Sequence, residues 1–156
     1  MKLEVWAIGK TTETYLQTGI SHYEQRLSRY LPFVWQTLPA PKVKHHSPQY
    51  IKQQESAVVL AKLHPDDYLI LLDERGLLFN SVELAHWLQQ CLQMPARRLI
   101  FLIGGAYGFS SDLYDRANAQ LALSRLTFPH QMVRLFLLEQ LYRAMTILRN
   151  EPYHNE

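Results

Sequence analysis

The sequence predicts an α/β fold, with a mainly parallel sheet flanked by helices. YLILL (68–72) and LIFLI (99–103) are continuous apolar runs, which are typical of parallel strands covered on both faces. Strand-like and helix-like segments also alternate along the whole chain. The 156 residues suit one hydrophobic core, so we expect a single domain spanning residues 1–156.

Two strands and a helix between them are expected at the start of the chain. KLEVWAI (2–8) is a strand closed by Gly9, and FVWQTL (33–38) is a second strand. Thr11 or Thr12 is expected to cap the intervening helix, because a threonine oxygen can accept a hydrogen bond from the first amides of a helix. The apolar residues of this helix repeat at alternating spacings of four and three and indicate one amphipathic face: Leu16, Ile20, Tyr23, Leu27 and Tyr30.

Helix starts are marked at two later points in the sequence. The basic, proline-bracketed segment 39–48 is predicted to be a loop. The serine-proline pair at 47–48 predicts a helix start, because serine caps the first amides and proline fits the first turn, and this helix should end near Leu63. Asn80 and Glu83 are spaced as in a capping box ahead of the next helix.

The rest of the chain is expected to complete the sheet and to end in a long helix. The predicted elements are strands at 67–76, 97–105 and 121–123, a short helix from Ser110 or Ser111 to about Asn118, and a last helix at 131–149.

The last helix is apolar on nearly every side, and such a helix must be buried on all faces. Since the sheet can cover only one side, we expect a second subunit to cover the other. Glu139 and Arg143 are spaced for an ion pair within the helix. Arg134 and Arg143 lie about half a turn out of phase and should point to opposite sides.

The composition excludes several classes of protein. Apolar residues make up 47% and charged residues 19% of the chain, which is typical of a globular protein. The single cysteine, Cys91, excludes an internal disulfide and a cysteine-based zinc site. The N-terminus lacks the apolar core of a signal peptide, and no apolar run is long enough to span a membrane. We therefore expect a soluble cytoplasmic protein with no membrane partner.

Three strand ends carry the residues that are best placed to bind a ligand. They are 72–76, 104–108 and 124–130. In parallel sheets, ligands bind beyond the carboxyl ends of the strands. Gly104 and Gly105 follow a buried strand, where the absence of side chains lets the backbone approach a ligand closely. An isolated pair of glycines more often makes only a tight turn, but three such ends in one small sheet indicate a shared pocket.

Motifs for several other functions are absent. The sequence contains no G-x-G-x-x-G, no G-x-x-x-x-G-K-[ST] and no G-x-S-x-G, which argues against a Rossmann dinucleotide site, a phosphate loop and a serine hydrolase. His45, His46 and His64 lie in or beside loops without a carboxylate or cysteine at ligand spacing, so no metal is expected. The formal net charge of +2 is too small to indicate nucleic-acid binding by itself.

Three segments together resemble the RlmH family, which comprises SPOUT-class methyltransferases acting on a pseudouridine in large-subunit ribosomal RNA. They are GGAYGFS (104–110), LALSRLTFPHQMVRLFLLEQLYRA (121–144) and EPYHNE (151–156). The resemblance extends over essentially the whole chain. The combination is highly specific, whereas the glycine motif alone would be weak.

The resemblance implies a C-terminal trefoil knot, which composition and periodicity do not indicate. It also implies that the loop LSRLTF wraps S-adenosyl-L-methionine, with residues from two other strand ends completing the cofactor site. The implied site consists of Leu72, Gly104, Gly105, Leu123, Ser124, Arg125, Leu126, Thr127 and Phe128. The last helix is then the interface of a homodimer.

The resemblance further implies methylation of N3 of a pseudouridine in helix 69 of 23S ribosomal RNA. In the family, the C-terminal tail folds over the active site, so Tyr153 and His154 are expected to position the target base or to take its proton. His130 and Arg143 are the next catalytic candidates. Two alternatives stay open: a non-catalytic ribosome-assembly factor that binds RNA, and a SPOUT methylase of transfer RNA.

Overall fold

A computed structural model describes residues 1–42 and 46–155 of the chain. Its elements are β1 (Lys2–Ile8), α1 (Thr14–Leu27), β2 (Phe33–Leu38), α2 (Pro48–Lys62), β3 (Tyr68–Leu78), α3 (Ser81–Leu92), β4 (Arg98–Ile103), α4 (Ser111–Arg116), β5 (Ala119–Ala122) and α5 (Met132–Leu148). Part of the predicted 39–48 loop, including His45, lies outside the described residues. None of the described helices is both long enough and apolar enough to cross a membrane.

The five strands form one sheet in the order β2-β1-β4-β3-β5. All the strand pairs in the described part of this sheet are parallel, which confirms the predicted α/β fold. Helices α1, α3 and α5 pack together on one face, and α2 and α4 cover the other. Both faces of the central strands are therefore buried, as the unbroken apolar runs require.

The helix starts agree with the sequence at two places and disagree at a third. Ser47 accepts a hydrogen bond from the amide of Tyr50, and Asn80 and Glu83 form the complete capping box. The predicted threonine cap of α1 is wrong, because the residue before this helix is Glu13. The Thr11 hydroxyl instead accepts a hydrogen bond from the guanidinium of a residue in α5.

Helix α1 also ends earlier than its apolar repeat suggested. It ends at Leu27, so Tyr30 lies in the following turn and not on the helix. The backbone amides of Ser28 and Tyr30 close this turn by donating to carbonyls of the last helical residues. Tyr30 nevertheless packs against the same core as the helix.

Strands β3 and β5 differ from their predicted bounds for one shared reason. Strand β3 continues to Leu78 and pairs with β5 twice, with a shift in register between Leu72 and Leu77. Gly76 lies in this irregular stretch, and a Cβ there would stand 2.6 Å from the backbone of Gln120. The close approach of the two backbones extends the pairing, and β5 correspondingly begins at Ala119.

The expectation that only the sheet covers α5 within one chain is wrong, because α1 and α3 also pack against this helix and leave Phe136 as its one exposed residue. Leu137, Leu138 and Leu141 are fully buried, whereas Phe136 is 39% exposed. Arg134 is also buried, and its guanidinium donates to the carbonyls of Ile8 and Gly9 at 2.7 and 2.9 Å.

Candidate cofactor cavity and catalytic residues

A cavity of about 990 Å³ lies at the carboxyl ends of β3, β4 and β5. Its size falls within the range of small-molecule sites in proteins. Eight of the nine residues predicted to bind the cofactor line it: Leu72, Gly104, Gly105, Leu123, Ser124, Leu126, Thr127 and Phe128. Arg125 lies in the same loop with an exposed side chain but does not line the cavity. The three strand ends therefore do meet at one pocket, as the sequence predicted.

The glycine turn after β4 is packed tightly against the protein itself. A Cβ on Gly104 would stand 2.8 Å from the ring of Phe109, and one on Gly105 would stand 2.5 Å from a carboxylate oxygen of Glu55. A side chain at Gly104 would therefore have to displace the ring of Phe109, whereas one at Gly105 would displace only the end of the Glu55 side chain. A bulky residue at Gly104 would displace Phe109 before it filled the cofactor space.

A network of three side chains forms the polar wall of the cavity at the end of β3. Asp73 accepts hydrogen bonds from the hydroxyl of Tyr114 and, at 2.8 Å, from the amide of Arg75. Burial alone would raise the pKa of the Asp73 carboxyl, but these hydrogen bonds outweigh it and hold the pKa below its ordinary value. Asp73 is therefore ionised at neutral pH, and Glu74 beside it also lines the cavity.

The loop that resembles the cofactor-binding loop is shaped by two contacts. The amide of Leu126 donates to the hydroxyl of Ser124 at 3.0 Å, which closes a local turn. Phe128 packs edge-on against Phe136 of α5 with ring centroids 5.1 Å apart. His130 follows the loop and lines the cavity as well.

The C-terminal tail is held by Arg143 of α5. The Arg143 guanidinium lies 4.8 Å from the ring centroid of Tyr153 and 3.1 Å from Nδ1 of His154. Because a guanidinium only donates, Nδ1 must accept this hydrogen bond, which places the ring proton on Nε2. Arg143 also pairs with Glu139 at 2.6 Å, which confirms the predicted ion pair within the helix.

Tyr153 is a hydrogen-bonding group and not a base. Its hydroxyl lies 3.4 Å from that of Tyr23 on α1. Burial, the hydrogen bond with Tyr23 and the charge of Glu139 raise the pKa of Tyr153 to about 12. The phenol is therefore protonated at neutral pH.

The predicted catalytic residues fall into two groups, which lie near opposite ends of α5. His130 precedes the first turn of α5 at the cavity, whereas Arg143 is thirteen residues further on. At the rise of an α-helix, that spacing is roughly 20 Å along the axis. Tyr153 and His154 contact the distal end of α5 and do not line the cavity. Within a single chain, the tail therefore lies far from the cavity.

Two residues beside the cavity escaped the sequence analysis. Tyr114 comes from α4 and Glu55 from α2, both on the face of the sheet opposite α5. No local pattern marks either residue, because Tyr114 reaches the cavity wall, and Glu55 reaches the glycine turn, only through the packing of their helices on the sheet. Among the described residues, no group of three histidine, cysteine, aspartate or glutamate side chains could hold a metal ion.

Comparison with known proteins identifies the class to which this fold and cavity belong. Residues 1–154 match the family described as "Predicted SPOUT methyltransferase". The chain belongs to this family, and the five-stranded parallel sheet flanked by helices is consistent with it.

Curated relatives narrow the assignment within that class. A protein from Cytophaga hutchinsonii is 50% identical over 99% of this chain and 100% of its own length. Relatives from Parabacteroides distasonis and Flavobacterium johnsoniae are 45% and 48% identical over 100% of both chains. All three are named ribosomal RNA large subunit methyltransferase H. The predicted resemblance to the RlmH family is confirmed.

Proposed function

We propose that this protein transfers a methyl group from S-adenosylmethionine to N3 of a pseudouridine in helix 69 of 23S ribosomal RNA. One observation carries the proposal: full-length relatives up to 50% identical are named ribosomal RNA large subunit methyltransferase H. The base and atom follow from the family that the sequence resembles. Acting on ribosomal RNA, the protein would work in the cytoplasm.

The cavity suits S-adenosylmethionine in size. When bound, this cofactor supplies a methyl group activated by a positively charged sulfonium. The cavity wall carries the carboxylates of Asp73 and Glu74 together with the cations of Lys52 and Arg75, so its charges balance and both signs are available to the zwitterionic part of the cofactor. The loop from Leu123 to Phe128 offers backbone groups and apolar side chains, which can hold an adenine ring without charged partners. Arg125 belongs to the same loop and is also proposed to contact the cofactor. The trefoil knot is a further feature that the family resemblance predicts.

The target base would be held by residues from two subunits. Tyr153, His154 and Arg143 lie at the end of α5 that is distant from the cavity of their own chain. A homodimer packed through α5 would let the tail of one subunit reach the cavity of the other, where His130 stands. Tyr153 could then stack on a splayed-out base, as aromatic side chains do in RNA recognition.

Nucleoside mass spectrometry of ribosomal RNA tests this function directly. Deletion of the gene should abolish N3-methylpseudouridine in helix 69, and expression of the wild-type protein should restore it. Persistence of the modification in the deletion strain would show the proposal to be wrong. Loss of a modified nucleoside from transfer RNA instead would favour the alternative substrate. A ribosome-assembly defect with unchanged nucleosides would favour the non-catalytic alternative.

A further inference from the structure

Four tyrosines from three parts of the chain form one cluster at the end of the molecule that carries the tail. Tyr142 of α5 lies at its centre, with its ring centroid 5.7 Å from Tyr23, 6.0 Å from Tyr30 and 4.8 Å from Tyr153. We call these four residues the tyrosine cluster. It connects α1, α5 and the tail.

Three arginines lie over the rings of the tyrosine cluster. Arg26 is 5.3 Å from the ring centroid of Tyr142, and Arg149 is 5.7 Å from that of Tyr30. The third is Arg143, over Tyr153. An arginine on an aromatic face keeps the outer edge of its guanidinium available for hydrogen bonds.

Arg26 and Arg149 differ from Arg143 in having no acidic partner. Arg143 pairs with Glu139, but no carboxylate within the described residues lies within 4.0 Å of the other two. The nearby Glu151 is engaged by the hydroxyl of Tyr30 at 2.6 Å.

Helix ends explain only part of this arrangement. Arg26 lies in the last turn of α1 and Arg149 follows the last turn of α5, where a positive charge is favoured. That effect accounts for the sign of the charge. It does not account for two uncompensated guanidinium groups converging on one set of tyrosines beside the tail.

We propose that Arg26 and Arg149, supported by the tyrosine cluster, bind the phosphate backbone of the RNA substrate next to the target base. The proposal rests on the proposed function and deepens it by assigning the electrostatic contact to residues outside the cofactor cavity. Planar guanidinium groups bind phosphate oxygens in a bidentate manner.

The test measures binding to purified ribosomes and single-turnover methylation for Arg26→Gln, Arg149→Gln and the double variant. We expect the double variant to bind ribosomes about tenfold more weakly. The slope of log affinity against log salt concentration should become shallower by about one unit for each phosphate that is no longer bound. The maximal methylation rate and the affinity for S-adenosylmethionine should stay unchanged. Arg149→Lys should recover part of the affinity.

Arg97→Gln is the matched control, because Arg97 is exposed, precedes β4 and lies outside the tyrosine cluster. It removes one charge and should leave ribosome binding unchanged. Equal weakening by Arg97→Gln, or unchanged binding in the double variant, would overturn the proposal. Conversion of the double variant from dimer to monomer would overturn it too, by assigning the surface to a second copy. Arginine-dependent ribosome binding without methylation by the wild-type protein would support the contact and reject the proposed reaction.

Discussion

Two carboxyl groups near the cavity show how strongly local contacts decide charge. Asp73 is held ionised by its hydrogen bonds with Tyr114 and Arg75. Glu55 is only 8% exposed, and its carboxyl group forms no ion pair among the described residues. Burial therefore raises the pKa of Glu55 above its ordinary value. The ionised Asp73 of β3 lies at the cavity wall beside Arg75, whereas the Glu55 carboxyl packs against Gly105 in the glycine turn.

Replacement of Glu55 by glutamine should stabilise the protein at alkaline pH. When folding raises the pKa of a carboxyl group, its ionisation destabilises the folded state at pH values above the pKa of the folded state. This destabilisation disappears at pH values below the pKa of the unfolded state, where the group is protonated in both states. The free energy of unfolding of Glu55→Gln should therefore exceed that of wild type at pH 8, with the difference shrinking toward pH 4. Urea unfolding at both pH values measures it, with Asp115→Asn as an exposed control. A destabilised variant at pH 8 would contradict the prediction.

Ser124 is expected to act on cofactor affinity through loop shape. Ser124→Ala removes the hydroxyl that accepts a hydrogen bond from the amide of Leu126. Loss of a typical hydrogen bond costs about 1 kcal/mol, so the affinity for S-adenosylmethionine should fall roughly fivefold while the fold is kept. Isothermal titration calorimetry measures the change. Ser28→Ala removes a comparable hydroxyl contact after α1, far from the cavity, and should bind normally.

At the scale of elements, the sequence predicted what short-range patterns determine. The caps at Ser47 and Asn80 were found because each depends on an amide three residues away. The cap at Thr11 or Thr12 was predicted wrongly, because the helix begins after Glu13 and the Thr11 hydroxyl accepts a hydrogen bond from Arg134, 123 residues later in the chain. The strand ends of the site were likewise predictable, whereas Tyr114 and the partners of the tail depend on packing between distant elements.

The hydrogen bond between Arg134 and Thr11 also helps to position α5. Arg134 donates to Ile8, Gly9 and Thr11, and so ties the first turn of α5 to the end of β1. Burial lowers the pKa of this guanidinium because it disfavours the charged form. The same first turn brings Val133 to the cavity.

Substitution of Arg134 by lysine should therefore weaken both the fold and the cofactor site. A single ammonium cannot reproduce the forked set of hydrogen bonds, and we expect the free energy of unfolding to fall by about 1–3 kcal/mol. Denaturant unfolding and calorimetric titration with S-adenosylmethionine check the two effects. Arg125→Lys, in the exposed part of the loop, is the control and should keep its stability. Unchanged stability of Arg134→Lys would show that the hydrogen bonds of the buried guanidinium are not needed for stability.

At the scale of the whole molecule, the exposed part of α5 predicts a second subunit. Phe136 is 39% exposed, although α5 is apolar on nearly every side. We expect sedimentation equilibrium to find a dimer at micromolar concentration, and Phe136→Glu to shift it toward monomer by burying a charge. Met94→Glu is a control of similar exposure, at 37%, in the turn after α3. A wild-type monomer would contradict the prediction.

The separation of tail and cavity makes a stronger prediction about that dimer. Gly104→Val should disable the cavity, because its Cβ would stand 2.8 Å from the ring of Phe109, which lines the cavity. Truncation after Pro152 removes Tyr153 and His154. Each variant alone should be inactive in single-turnover methylation of ribosomes.

Mixed dimers of these two variants should regain activity. If the tail of one subunit completes the cavity of the other, the truncated subunit supplies an intact cavity and the Gly104→Val subunit supplies an intact tail. Random re-pairing makes half of the dimers mixed, each with one working site, so about a quarter of the wild-type activity should return. Sedimentation must first confirm that both variants are folded dimers. Full activity of the truncated protein alone would show that the tail is inert, and a mixture that stays inactive would place tail and cavity of one chain in the same site.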